Sequence, residues 1–462
     1  MKRAVIIVVI VALSSVSCDA KSLTPATSSS NGKSDGLHHV VVDTDLAFDD
    51  IMALLYLLQR DNVSVDAVTV TGTGEVHCDP GVRNAQALLA LGGSPETPVA
   101  CGRETPLGGQ NAFPDEWRAA VDDLSMLDLP NVSGEADPRG AVGLLLDVLD
   151  DHTTLITLGP LTNVAEALRV EPALADRVST FVAMAGAIDV PGNAPRGIAE
   201  YNVWADPLAA KEVIQGMNVT LVPLDATNDV PFTQYFADVL ERNLRTSEAE
   251  AAFALISTNK DLFLSDGYSF WDTLATALVF QPDLATWDKT PVSVTASTGA
   301  VGWTARDDRT SPVLFANGVP DPLAFEREYL TTLTGGPIGS LRPEPTVTVV
   351  FDGRRCTVSP TSLSAGTHDV AFVGDVGADA IAILVRLPEG RSYREMRKAL
   401  APPGSELHEQ DPAIRKVDPF GWIDALAPIA ILPGKFAAIC LSGDASSDAL
   451  PRAWLSARIN VV

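Results

Sequence analysis

From His38 onward, short β-branched runs alternate with stretches whose apolar residues recur every three or four positions. His39–Val42 reads as a strand that runs into acids. Ile51–Leu58 reads as a helix with apolar residues on one face and acids at its N-terminal end. Ser64–Val70 and Gly81–Leu91 repeat the pair, as do Thr153–Leu158 and Thr162–Leu168. Thr180–Met184, Pro207–Ile214 and Val219–Leu224 continue the rhythm. Such alternation predicts an α/β fold, a mostly parallel sheet with helices on both faces. Ligands of these sheets bind beyond the carboxyl ends of the strands. The polar clusters fall there, after Val42, Val70, Leu158 and Met184.

Near residue 340 the pattern changes, and Leu341-Arg-Pro-Glu-Pro reads as a linker. Thr346–Phe351, Asp369–Val373, Ala380–Val385 and Phe436–Leu441 read as strands of a small antiparallel, all-β sandwich, with helical signal only around Tyr393–Leu400. The run Val358-Ser-Pro-Thr-Ser-Leu-Ser-Ala-Gly-Thr-His368 resembles cupredoxin-like β-sandwich domains. Copper in that family requires two His and a Cys, usually with a Met. Cys440 is followed by Leu-Ser-Gly-Asp, so a copper site is not expected and a structural or attachment module is. At the other end, Lys2 and Arg3 precede an apolar run, Ala4–Leu13, too short to span a bilayer but suited to a signal segment. Ser15-Val16-Ser17-Cys18 resembles a lipoprotein processing site, with ordinary signal cleavage as the alternative. The expected organisation is a signal segment at 1–18, a Ser/Thr/Lys/Gly-rich tether at 19–36, an α/β domain at 37–340 and a sandwich at 345–462. The protein is thus expected to be exported, either anchored through lipid on Cys18 or secreted.

Charge narrows the partners. The formal net charge is −26, which disfavours nucleic acid and, without a local basic site, phosphorylated substrates. Uncharged small molecules and cations remain, and homo-oligomerisation is left open. In an oxidising compartment Cys78 could pair with Cys101 and Cys356 with Cys440, with buried free thiols as the alternative for the first pair.

The densest chemistry is Asp43-Thr-Asp45-Leu-Ala-Phe-Asp49-Asp50. Four carboxylates in eight residues repel unless a hard cation neutralises them, and oxygen-only ligands favour Ca²⁺ or Mg²⁺. Helix capping by Asp43 or Asp49 would explain one acid but not four. A phosphatase with an aspartyl nucleophile is a poorer fit, because Ala47 stands where that class has Thr or Val.

The stretch Val40-Val-Val-Asp-Thr-Asp-Leu-Ala-Phe-Asp-Asp-Ile-Met-Ala-Leu resembles the opening motif of the inosine–uridine-preferring nucleoside hydrolases. Further segments follow in that family's order: Thr71-Gly-Thr-Gly-Glu75, Leu158-Gly-Pro-Leu-Thr-Asn163, Met184-Ala-Gly, Gly192-Asn193, Ala199-Glu-Tyr-Asn202 and Trp271-Asp272. The resemblance implies a calcium ion held by Asp45, Asp50, Asp272 and the main-chain carbonyl of Leu158. It implies that Asp49 accepts a hydrogen bond from the ribose 2′-hydroxyl and that Asn193, Glu200 and Asn202 bind the rest of the sugar. Met184 also falls to the substrate, and Asp43 stands behind the ligands.

The implied reaction is calcium-dependent hydrolysis of the N-glycosidic bond of ribonucleosides, with Asp45 as the base that takes a proton from water. Two departures bear on the leaving base. Trp271 stands where many relatives have His, and purine-preferring members share a Trp there that stacks the base. Trp117 is a candidate second wall, with core packing as its alternative. Glu75 stands where many relatives have Asn, so it either protonates the leaving base or contacts the sugar. These point to purines. The competing reading is an exported nucleoside- or sugar-binding protein without turnover.

Overall fold

A computed structural model describes residues 36–341, apart from 266 and 298–300, and eight strand segments between 347 and 461. The signal segment, Cys18, most of the tether and the helix expected around 393–400 lie outside the described residues.

The strands β1 (His38–Thr44), β2 (Val63–Val70), β3 (Val99–Cys101), β4 (Thr153–Thr157), β5 (Thr180–Ala183), β6 (Thr220–Leu221), β7 (Thr286–Val294), β8 (Thr304–Arg306) and β9 (Pro312–Gly318) form one nine-stranded sheet. Its order is β3-β2-β1-β4-β5-β6-β9-β7-β8. The neighbours from β3 to β9 pair in parallel, and β7 runs antiparallel to β9 and β8. The run expected as Val219–Leu224 contributes only the two paired residues of β6, because Leu224–Thr227 turns into a short helix.

Strand β1 shows how the pattern becomes a core. Val40 and Val42 pack into one apolar cluster and Val41 into another, as period-two alternation requires when both faces of a sheet are covered. Helix α1 (Phe48–Leu58) is buried along nearly its whole length, packed against the helices Ser247–Thr258, Trp271–Phe280 and Pro322–Leu333. That is why its sequence carries so few polar positions. The chain leaves β1 toward β2 and β3 on one side and resumes at β4 on the other. A crevice therefore opens between the carboxyl ends of β1 and β4, the position where open α/β sheets bind ligands.

Cys78, at the start of α2 (Cys78–Leu91), is disulfide-bonded to Cys101 at the end of β3, with Cα atoms 5.5 Å apart. Closing a loop of this length, 23 positions apart, contributes about 3 kcal/mol through the unfolded state. A Cys101→Ser variant should lose about that much stability in guanidinium denaturation; an unchanged midpoint would show that the bridge constrains little. Cys356 is also disulfide-bonded, and the side chain of its expected partner, Cys440, lies outside the described residues.

Beyond residue 346 the strands fall into two four-stranded sheets. One has the order Cys356–Ser359, Val347–Phe351, Gly366–Gly374, Ala427–Ile431; the other Ser362–Leu363, Arg452–Val461, Gly434–Ser442, Ala380–Arg386. Four of these strands overlap the expected runs, Cys356–Ser359, Ser362–Leu363, Ala427–Ile431 and Arg452–Val461 were not expected, and the pairing is mixed rather than purely antiparallel. Val347–Phe351 runs parallel to Gly366–Gly374, and Ser362–Leu363 parallel to Arg452–Val461.

Candidate active site

Beyond β1 the chain turns through Leu46, whose φ of 52° is in the left-handed region, before Ala47 begins α1. Thr44 stabilises this turn by accepting the Leu46 N–H at 2.9 Å, and its hydroxyl donates to Asp50. Asp50 also accepts the Ala47 N–H at 3.1 Å. The acid that caps the helix is therefore Asp50 itself, not Asp43 or Asp49. Asp43 faces the sheet and accepts from Thr69 at 2.6 Å and Asn163 at 2.8 Å.

The turn places Asp49 and Asp50 against Asp272, in the first turn of the helix Trp271–Phe280. Ligand oxygens of these three acids all lie within 4.8 Å of one another. Asp272 makes no capping bond, and its Oδ1 is buried without a partner. Asp45 lies beside this group, its Oδ2 accepting the Glu75 N–H at 3.0 Å. Two glycines leave room for it. A Cβ at Gly74 would stand 2.1 Å from Asp45 Oδ2, and one at Gly159 would stand 2.9 Å from Asp45 Cβ. The Leu158 carbonyl accepts from Asn202 Nδ2 at 2.8 Å, which leaves its second lone pair for another partner.

These acids border a cavity of about 900 Å³. Of the residues singled out from the sequence, Asp43 does not line it, while Asp45, Asp49, Asp50, Glu75, Trp117, Leu158, Met184, Asn193, Glu200, Asn202, Trp271 and Asp272 do. Among the described residues, no Lys, Arg or His does so. Burial is therefore the main influence on the carboxyls. It pushes Asp43 and Asp49 up to about 7 and Glu75 up to about 8, with neighbouring acids adding to each. Asp45 and Asp272 are raised well above the usual carboxylate range by burial and then by the charge of Asp50. Asp50 is raised by burial. An oxygen-only donor set with one orphaned buried oxygen and no cationic neighbour fits a hard divalent cation.

Some sugar-side residues are engaged with the backbone. Glu200 caps the helix Tyr201–Ala205, accepting N–H groups from Gly186 (3.0 Å), Asn202 (2.7 Å) and Val203 (3.1 Å). Asn193 is exposed at the rim, and its Oδ1 accepts the Tyr201 N–H at 3.1 Å.

Part of the cavity wall is aromatic. Trp117, on α3 (Asp115–Asp122), lines the cavity and donates its indole N–H to Glu75 Oε2 at 2.6 Å. This contact decides against a purely core role for Trp117. Trp271 packs against Tyr268 with ring centroids 4.8 Å apart. Sequence reasoning missed Tyr268 and the group Phe113, Tyr201 and Trp204, where Phe113 and Tyr201 stack at 5.3 Å. Tyr201 stands inside a segment quoted above, but which rings face a cavity depends on loop paths rather than on periodicity.

Residues 40–329 match the inosine-uridine preferring nucleoside hydrolase family. Uridine nucleosidase 1 of Arabidopsis thaliana is 30% identical over 288 residues, which is 60% of this chain and 84% of the relative. An inosine-uridine preferring nucleoside hydrolase from Bacillus anthracis superposes with a TM-score of 0.56 at 26% identity, covering 64% of this chain and 99% of that one. An inosine-guanosine nucleoside hydrolase superposes with a TM-score of 0.55 at 25% identity, covering 64% and 98%. With the match spanning more than half of its length, this chain belongs to the inosine-uridine preferring nucleoside hydrolase family and is an N-ribosyl hydrolase that cleaves the N-glycosidic bond of nucleosides.

Proposed function

We propose that the enzyme is a calcium-dependent, purine-preferring ribonucleoside hydrolase that releases ribose and the free base. Its relatives are named for uridine, inosine–uridine and inosine–guanosine. The choice of base therefore rests on the cavity. The observation that carries it is the base-end wall: Trp271 against Tyr268, and Trp117 bonded to Glu75, with no histidine among the lining residues. Flat aromatic walls favour the larger π surface of a bicyclic base.

Asp45, Asp50, Asp272 and the Leu158 carbonyl would hold the calcium, with Asp49 beside them. When bound, calcium supplies Lewis-acid activation of a water and an anchor for the ribose diol. Asp45, kept in place by the Glu75 N–H, takes the proton from the water as its oxygen bonds to the anomeric carbon. Asp49 accepts a hydrogen bond from the 2′-hydroxyl. Asn202 binds the sugar beside Met184, and Glu200 acts by fixing the turn that carries Asn202. Trp271 and Trp117 hold the base, and Glu75, protonated when burial keeps it neutral, donates a proton as the C–N bond breaks. The Cys78–Cys101 bridge suits an oxidising compartment and supports the export implied by the N-terminal segment.

The test is ribose release from inosine, guanosine and uridine, with and without chelator, by the wild type and Trp271→Ala. Wild type should favour both purines, and Trp271→Ala should cut kcat/KM for inosine and guanosine on the order of tenfold more than for uridine. Equal losses for all three would sink the stacking assignment.

A further inference from the structure

Glu75 lies in the irregular turn between β2 and α2, and a second residue of α3 grips that turn without reaching the cavity. Arg118 is only 8% exposed, and its Nη2 donates to the carbonyls of Gly72 at 2.8 Å and Val76 at 2.6 Å. No carboxylate pairs with it among the described residues, and its Nε has no partner. A buried guanidinium normally stays buried because an acid compensates it. Here the compensation comes from two main-chain carbonyls that bracket Glu75 in sequence.

We propose that Arg118 is a positioning residue for the reaction, clamping the turn so that Glu75 is held between Asp45 and the leaving base. The inference rests on the leaving-group role proposed for Glu75. Three contacts place that turn on α3. Trp117 holds the Glu75 carboxylate, Arg118 holds the backbone on either side of it, and Asp122 accepts the His77 N–H at 2.9 Å. The other side of the turn has no slack. A Cβ at Gly72 would stand 2.8 Å from Glu104 Cγ and 2.9 Å from Cys78 Sγ, the disulfide sulfur. The turn thus sits between the disulfide and the guanidinium. The clamp thereby acts on the Glu75 carboxyl, the group that Trp117 holds at the cavity. Arg suits this better than Lys because its planar fork presents several donors in fixed directions, whereas an ammonium offers a single charged point.

The experiment is a double-mutant cycle on inosine hydrolysis, with kcat and KM measured for wild type, Arg118→Met, Glu75→Gln and the double variant. Arg118→Met should lower kcat on the order of 10- to 100-fold, the scale of loss when a catalytic group is misplaced by about an ångström, with KM changed less than about threefold. In the Glu75→Gln background the same substitution should cost less than about threefold in kcat. Arg118→Lys should recover part of the loss. If Arg118→Met fails to fold, Arg118→Lys goes through the same cycle, its expected kcat loss shrinking in the Glu75→Gln background. Equal losses in both backgrounds would overturn the proposal and leave Arg118 with fold stability alone. A Glu75→Gln single variant with wild-type kcat would instead overturn the leaving-group role and the clamp together.

Discussion

Asp45→Ala is expected to lower kcat about 1,000-fold or more, because it removes the group proposed as the base for the attacking water. Asp45 is 3% exposed, its Oδ2 is tied to the Glu75 N–H, and Gly74 and Gly159 leave the room it occupies. The neighbouring Asp49, Asp50 and Asp272 converge on each other, with Asp45 beside them. Removing Asp45 also removes one member of a crowded set of buried acids. The chelated variant should therefore melt at or above the temperature of the chelated wild type, as expected when a site is built at the expense of stability. Ribose release and thermal melting of the two proteins check both parts. A variant that kept a tenth of wild-type kcat would refute the assignment of Asp45 as base.

The second large effect concerns metal removal and pH. Burial raises Asp43 and Asp49 to about 7 and Glu75 to about 8, and lifts Asp45, Asp50 and Asp272 as well. The same carboxyls in an unfolded chain titrate near 4. Between about pH 4 and pH 8 the metal-free folded protein therefore holds protons that the unfolded chain has released, and stability must fall as pH rises through that window. A bound divalent cation reverses the preference, because it pairs with the ionised carboxylates and its binding releases protons. The chelated protein should melt progressively lower from pH 5 to pH 8. The difference in Tm between calcium-loaded and chelated protein should widen over the same range. A chelated protein whose Tm rose with pH, or a calcium effect independent of pH, would contradict a metal site at these carboxylates.

The parts legible in the sequence were those with a short-range cause. Alternation of Val40, Val41 and Val42 follows from the pleat of a strand covered on both faces. The helix after β1 was legible too, although it was read with one apolar face over Ile51–Leu58, whereas α1 runs from Phe48 and is buried on nearly every side. Asp45, Asp49 and Asp50 stood out because so many like charges in one turn need a cation. Asp272 and Leu158, distant in the chain, came only through the resemblance to a family, since nothing local marks a helix-start acid or a leucine carbonyl as a ligand.

Other features depend on how separate segments meet. Capping fell to Asp50 because the left-handed turn at Leu46 swings its carboxylate back onto Ala47. Glu200 lines the cavity and its oxygens also take three backbone N–H groups, one from Gly186 and two from the five-residue helix that begins beside it with donors to satisfy. Tyr268 and Trp204 were missed because an aromatic residue reads alike in a core and in a cavity wall. Arg118 was missed because a lone arginine on a short amphipathic helix looks like a solvated one.

By itself, then, the sequence determined the α/β layering and the acidic turn after β1, whose charge density suits a hard cation, all set by periodicity and charge within a few residues. Only the tertiary structure decided which carboxylates converge, which rings face the cavity and which side chains clamp the Glu75 turn. The physical reason is that these depend on the strand order around β1 and β4, which brings loops more than a hundred residues apart onto one crevice.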